Sequence, residues 1–162
     1  MDCSVVMFDR LSNQSGSALV ATARALARAE LAGNRDARLR GKNLALLTQW
    51  PGPAAALFIT AVEQLGATTS RIGEDMLTVQ GEHELQRVAR MLDRLYDAVE
   101  CQGVAAASVQ RLSDLATVPV FDGIACDTHP TAALATQLED CGGDEADARR
   151  WILQAAVLMT VI

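Results

Sequence analysis

Positive charge is scarce in this sequence. Of its 162 residues only Lys42 is a lysine, and no arginine lies between Lys42 and Arg71. Fourteen basic residues stand against 20 acidic ones, which gives a formal net charge of −6. Nucleic acids and anionic membranes attract surfaces on which lysine and arginine are concentrated. The composition therefore argues against both kinds of partner.

Aromatic residues are also rare, at 4% of the chain, whereas half of all residues are hydrophobic. We expect residues 1–162 to form one soluble domain with an aliphatic core. The four cysteines show neither CxxC spacing nor a neighbouring histidine pair, which predicts reduced cytoplasmic thiols rather than a metal or redox site. The first ten residues contain no signal-peptide run, and the apolar stretch 151–162 is shorter than the roughly 20 residues of a membrane-spanning helix. We predict a cytoplasmic protein without metal or cofactor.

Apolar periodicity predicts alternating helices and strands. Short apolar runs predict strands at 42–48, 67–72, 96–101 and 117–121. Apolar residues three and four apart predict helices at 16–32, 53–65, 82–94 and 105–115. Ser15 or Ser17 can cap the first helix, and Pro119 indicates that the last strand lies at an edge or is irregular there. This alternation predicts an α/β fold, a three-layer doubly wound domain with a four-stranded parallel sheet.

Two more helices are predicted after the last strand. One begins at His129 and ends near Cys141, before a pair of glycines. Asp144 can cap the other, which continues to Ile162 and carries a broad apolar stripe. A stripe of this width must be covered either by the body of the domain or by another subunit.

Several segments resemble one family in sequence order: LRGKNLALL, AVEQLGATTSRIG, VARMLDRLYDAVECQG, VPVFDG and THPTAALATQLED. They are similar to the amino-terminal, carbamoyl-phosphate-binding domain of ornithine and aspartate carbamoyltransferases, with the ornithine branch closer. The resemblance covers residues 15–140, and 144–162 resemble the family's last helix, which packs back on that domain. It implies that the family's second, amino-acid-binding domain is missing, with only residues 140–144 in its place.

The resemblance also indicates where carbamoyl phosphate would bind. The family holds this anion with a Ser-Thr-Arg-Thr-Arg turn after the first strand, where this chain has Trp50-Pro-Gly52-Pro-Ala-Ala-Ala. A family lysine aligns near Gln86 and a family arginine aligns with Gln102. Of the family's His-Pro-Thr-Gln motif, His129, Pro130 and Thr131 remain, and Ala132 replaces the glutamine. We predict a vestigial pocket formed by Trp50, Gly52, Gln102, His129 and Thr131, without catalytic residues.

Individual residues allow more than one interpretation. His129 either holds the local turn or contacts a ligand, and Trp50 either plugs the old pocket or forms a docking surface for an apolar group. His83 is expected to be exposed on a charged helix. Cys126 has no basic neighbour in sequence that would lower the pKa of its thiol, so we do not expect a nucleophile there.

These features predict a degenerate, catalytically inactive carbamoyltransferase-like protein with a structural or regulatory role. A small-metabolite binding module and a residual carbamoyltransferase are the alternatives. Because the family forms trimers through this domain, the resemblance implies a homotrimer, which could associate with a true carbamoyltransferase.

Overall fold

The structure, a computed structural model, describes residues 13–78 and 81–162, and its elements alternate between helix and strand. The helices are α1 (Asn13–Leu31), α2 (Pro53–Gln64), α3 (Glu82–Leu95), α4 (Ala106–Leu115) and α5 (Glu145–Val161). The strands are β1 (Asn43–Thr48), β2 (Thr68–Ile72), β3 (Ala98–Gln102) and β4 (Val120–Asp122). A short 3₁₀ helix spans Glu74–Leu77, and a second one, the long 3₁₀ helix, spans Pro130–Cys141.

The four strands form one parallel sheet in the order β2-β1-β3-β4. The predicted α/β class and the four-stranded parallel sheet are therefore confirmed. β4 lies at an edge, as Pro119 indicated, but it is only three residues long and begins after that proline. The carbonyl of Pro119 still accepts a hydrogen bond from the N–H of Val99, at 2.9 Å, because only the donor is missing from proline.

Helices cover both faces of the sheet and produce two hydrophobic clusters. Successive strand residues point to opposite faces, so Leu44 and Leu46 of β1 join one cluster while Ala45 and Leu47 join the other. The first cluster also contains side chains from α1, α2, the long 3₁₀ helix and α5. The second contains side chains from α3 and α4. β1 is thus buried on both faces, which explains its continuous apolar sequence.

The start of α1 differs from its prediction, whereas its end agrees with it. α1 already includes Asn13, so Ser15 and Ser17 lie inside the helix and cannot cap it. Its other end is as predicted: Gly33 has φ +81°, and the N–H of Asn34 donates to the carbonyl of Ala29 at 2.8 Å. Glycine adopts this left-handed conformation without steric cost, which closes the helix with a Schellman motif.

The predicted helix after β4 is present, but its hydrogen bonding is of the 3₁₀ type. The N–H of Ala132 donates to the carbonyl of His129, three residues earlier, at 2.9 Å. Twelve residues is long for a 3₁₀ helix. Thr131, Ala135 and Leu138 point inward from it and are buried.

α5 packs against α1, α2 and the long 3₁₀ helix of the same chain. Asp144 and Asp147 form a reciprocal capping box at its start, where the sequence predicted a cap. The helix is buried over about two and a half turns without interruption, from Arg150 to Leu158. Among the residues that the structure describes, no helix is both long and apolar enough to cross a membrane.

Candidate functional site

The carboxyl ends of the parallel strands form the edge at which doubly wound proteins commonly bind ligands. Thr48 at the end of β1 is in register with Gln102 at the end of β3. The turn that contains Trp50 and Gly52 follows Thr48 directly. Three predicted site residues, Trp50, Gly52 and Gln102, therefore lie at one edge of the sheet.

The turn between β1 and α2 offers few polar groups. Gly52 is the residue that caps α2, without a side-chain hydrogen bond, and Pro53 at the first helical position has no N–H. The Trp50 indole is 80% exposed, and its Nε1–H donates to Oε1 of the neighbouring Gln49 at 3.1 Å. An indole this exposed does not fill a pocket of its own chain. The interpretation of Trp50 as a plug is therefore wrong, and the docking interpretation is left.

Gln102 is turned inward at this edge. Its side chain is buried, and its Nε2 donates to Oε1 of Glu100 at 3.2 Å. This hydrogen bond uses an amide N–H that would otherwise be available to a ligand. Gln102 therefore takes part in the packing of β3.

Glu100 is the titratable residue that the sequence analysis missed. It is fully buried and in register with Leu46 of β1 and Phe121 of β4. Burial raises the pKa of its carboxyl group to about 8, because its hydrogen bonds compensate only part of the lost hydration. The only sequence signal was a glutamate inside a strand whose neighbours are apolar.

His129 and Thr131 form a helix cap. Nδ1 of His129 accepts a hydrogen bond from the N–H of Thr131, at 3.3 Å, and lies 2.9 Å from its hydroxyl oxygen. Both side chains are buried. Of the two interpretations of His129, these contacts favour the structural one, since a cap satisfies a backbone donor at the start of the long 3₁₀ helix.

Two other candidates behave as the sequence indicated. His83 is exposed on α3. Burial, followed by the negative charges of Glu100 and Asp122, raises the pKa of the Cys126 thiol. A thiol with a raised pKa is a poor nucleophile at neutral pH, so Cys126 has no reactive role in this arrangement.

A cleft of about 760 Å³ lies between α2, the start of α5 and the loop 123–128, which we call the β4 loop. We call it the β4-loop cleft, and its lining residues are Pro53, Ala54, Leu57, Ala125, Cys126, Asp127, Thr128, Asp144, Glu145, Ala146 and Arg149. Three carboxylates and one guanidinium face this space. The guanidinium group of Arg149 is already bound within the protein. It donates a hydrogen bond to the carbonyl of Ala125 at 3.0 Å and forms an ion pair with Asp127 at 3.5 Å.

Two further clefts contain none of the five predicted site residues. A small one of about 280 Å³ lies between the ends of β1 and β2, where Arg71 and Asp75 bring one charge of each sign. A larger one of about 830 Å³ lies beside the ends of α1 and α2 and includes Glu30, Glu63 and Gln154. The β4-loop cleft also contains none of the five, although Gly52 and His129 each adjoin a residue that lines it. None of these three clefts therefore brings the predicted residues together.

The fold is that of a doubly wound α/β domain, a class of protein in which ligands commonly bind at the carboxyl ends of the strands. The chain belongs to the aspartate/ornithine carbamoyltransferase family, because residues 4–139 match the model of that family's carbamoyl-P binding domain. The resemblance seen in the sequence is thereby confirmed.

Individual relatives agree with this assignment. The ornithine carbamoyltransferase of Haemophilus influenzae strain PittGG is 35% identical over 127 residues, which are 76% of this chain and 38% of that protein. The enzyme of the same name from Cutibacterium acnes is 32% identical over 121 residues, 74% of this chain and 36% of that protein. The solved structure of ornithine carbamoyltransferase from Pyrococcus furiosus matches with a TM-score of 0.65 and 25% identity, covering 77% of this chain and 40% of that one. The chain spans about two fifths of the length of these relatives.

Proposed function

We propose that this protein is a catalytically inactive carbamoyltransferase-like protein with a structural or regulatory role. The observation that carries the proposal is the turn between β1 and α2. It has no cationic side chain, its two prolines remove backbone donors, and the residue that caps α2 is a glycine without a side chain. A phosphate dianion needs several charged donors, and each such hydrogen bond contributes about 1.5–3 kcal/mol.

The charges around the turn support the same proposal. The β4-loop cleft adjoins the turn at Pro53, and it is lined by Asp127, Asp144 and Glu145. Its one guanidinium, on Arg149, is already bound to Ala125 and Asp127. The local potential therefore opposes an anionic substrate.

A second candidate function is the binding of a small neutral or cationic metabolite. The β4-loop cleft favours it, because the apolar residues Pro53, Ala54 and Leu57 line it together with the three carboxylates. Such a surface suits a molecule with a hydrocarbon part and an ammonium or guanidinium group. This function and the first one are compatible, since a regulatory protein can respond to a metabolite.

A binding screen tests both candidates. With carbamoyl phosphate or inorganic phosphate we expect no increase in the thermal midpoint of the full chain, and no phosphate release in the presence of ornithine. A ligand at 100 times its dissociation constant would stabilise the folded state by about 2.7 kcal/mol, which is easily measured. If the second function holds, L-ornithine or L-arginine will raise the midpoint. The shift will disappear in the double variant Asp127→Asn, Glu145→Gln.

The Haemophilus influenzae ornithine carbamoyltransferase is the positive control for this screen, because it includes the part of the relatives that our chain does not span. Turnover of carbamoyl phosphate by our chain above background would overturn the proposal and support a residual transferase. Stabilisation by phosphate alone would also contradict it, because the argument rests on the lack of an anion site.

We further propose that the chain forms a homotrimer, and that this assembly can associate with a true carbamoyltransferase. The support is its membership of the family and the match to the carbamoyl-P binding domain. Light scattering should give three times the chain mass of 17.3 kDa. Co-expression with a tagged full-length carbamoyltransferase should recover both chains together. A monomer at every concentration would contradict the trimer, and separate elution would contradict the association.

A further inference from the structure

The cleft of about 830 Å³ beside the ends of α1 and α2 lies apart from the β4-loop cleft, and we call it the helix-end cleft. Pro53, at the start of α2, lines the β4-loop cleft, whereas Gln64, at its end, lines the helix-end cleft. The 12 residues of α2 rise by about 18 Å, so the two clefts lie at opposite ends of this helix. A volume of several hundred cubic ångströms is typical of sites for small molecules.

Two helices end at this cleft and favour a cation there. Glu30 lies in the last turn of α1 and Glu63 in the last turn of α2, and both line the cleft. The backbone carbonyls at a helix C-terminus carry partial negative charge, which attracts a cation. The helix-end cleft therefore suits the positively charged group of a ligand.

Two of the four charged side chains that line the helix-end cleft are already paired. Glu30 and Asp36 each form an ion pair with an arginine that does not line it. Glu63 and Arg35 form no ion pair with any residue that the structure describes. Oε1 of Glu63 accepts a hydrogen bond from the hydroxyl of Thr69 at 2.6 Å, which leaves the charge of the carboxylate unbalanced. One charge of each sign is thus available to a ligand.

A buried amide supplies a hydrogen-bond acceptor to the same cleft. Gln154 of α5 is only 3% exposed, and its Nε2 donates to the carbonyl of Ala61 at 3.0 Å and to Oε1 of Gln64 at 3.3 Å. Its Oε1 accepts no hydrogen bond from the described part of the chain. Every fully buried side-chain nitrogen or oxygen atom in that part has a partner, so this Oε1 must be open to solvent. Because Gln154 lines the helix-end cleft, its free acceptor faces a hydrogen-bond donor placed there.

We propose that the helix-end cleft binds a free α-amino acid with an apolar side chain. The ammonium group of the ligand donates to Oε1 of Gln154 and to Glu63, near the two helix ends, and its carboxylate pairs with the exposed Arg35. The buried Leu26 and Leu65 line the cleft and contact the apolar side chain.

The charges of the helix-end cleft also determine which amino acids it rejects. It has one unpaired carboxylate, which the α-ammonium group occupies, so a second cation finds no partner. L-Ornithine and L-arginine therefore fit it poorly. The inference concerns a different cleft from the second candidate function and does not rest on it.

NMR titration of the isotopically labelled full chain tests the proposal. L-Alanine, L-valine or L-leucine should shift the side-chain amide signals of Gln154 in a saturable way. Ethylammonium and propionate, which each carry one of the two charges, should bind at least about fivefold more weakly than L-alanine, and L-ornithine likewise. No saturable shift at Gln154 with any of the three apolar amino acids would overturn the proposal, as would equal binding of ethylammonium, propionate or L-ornithine.

Four variants assign the binding to this cleft. Arg35→Gln and Glu63→Gln should each weaken the binding of L-alanine about fivefold, because each removes one exposed charge that contacts the ligand. Arg28→Gln removes an exposed arginine of α1 that does not line the cleft, and it should leave binding unchanged. The Asp127→Asn, Glu145→Gln double variant of the β4-loop cleft should also bind like the wild type. Unchanged binding in Arg35→Gln or Glu63→Gln, or weaker binding in either control, would overturn the proposal.

Discussion

Replacement of Arg150 by alanine is expected to lower the free energy of unfolding by about 2–4 kcal/mol. The Arg150 guanidinium is bound through both terminal nitrogens to Glu30, each at 2.8 Å, and also to Gln64 and Asp147. Its side chain is only 8% exposed. Breaking a buried ion pair costs about 3–5 kcal/mol, but Glu30 and Asp147 are partly exposed and can recover hydration, so we expect less than the full cost.

The neighbouring arginine provides a matched control for this variant. Arg149 lies on the same helix, but it makes one backbone hydrogen bond and an ion pair with the fully exposed Asp127. Arg149→Ala should therefore cost about 1 kcal/mol or less. Urea unfolding at constant m-value measures both variants. Equal losses in the two would show that Arg150 has no special role in joining α5 to α1.

The pH dependence of the Arg150 contacts gives the experiment a second readout. Hydrogen bonds from Arg150 lower the pKa of Glu30, and they also lower that of Asp147. An acid with a lowered pKa stabilises the folded state above its ordinary pKa and loses that contribution as the pH falls. The difference between wild type and Arg150→Ala should consequently shrink below about pH 4.

Most helices and strands could be predicted because their signals are local. α2 begins at Pro53, as proline at a first helical position indicates, and β1 is an unbroken apolar run because both of its faces are covered. The 3₁₀ hydrogen bonding after Pro130 could not be predicted, since an apolar spacing of three and four fits either kind of helix. The predicted start of β3, at residue 96, was two residues too early. The side-chain carboxylate of Asp97 accepts a hydrogen bond from the N–H of Asn43 at 2.8 Å, in place of a backbone contact between the strands.

The candidate site was less predictable, because it depends on side-chain direction and on distant partners. The sequence identified the loss of cations around Trp50, which is a matter of composition. It did not show that Gln102 turns inward, because that contact requires Glu100 to be buried beside it. The sequence did not single out Arg150, since its partner Glu30 lies 120 positions away in the chain.

Truncation of Trp151 should destabilise the protein still more, by about 3–5 kcal/mol for Trp151→Ala. The indole is 1% exposed and belongs to the first hydrophobic cluster, and its Nε1–H donates to Glu30 at 3.0 Å. It also packs so closely against the chain before α5 that a Cβ added at Gly143 would lie 2.5 Å from its ring. The neighbouring elements cannot fill a cavity of this size by small shifts, so the loss combines burial, packing and one hydrogen bond.

The other tryptophan of the chain is the control for this prediction. Trp50 is 80% exposed, so Trp50→Ala should change the free energy of unfolding by less than about 0.5 kcal/mol. Trp151→Phe should fall between the two alanine variants, because it keeps most of the apolar volume and loses the hydrogen bond to Glu30. Chemical unfolding followed by circular dichroism avoids the loss of tryptophan fluorescence in the variants. If Trp151→Ala were as stable as Trp50→Ala, α5 could not be a core helix of this fold, and the stability of the chain would have to come from the sheet and its other helices.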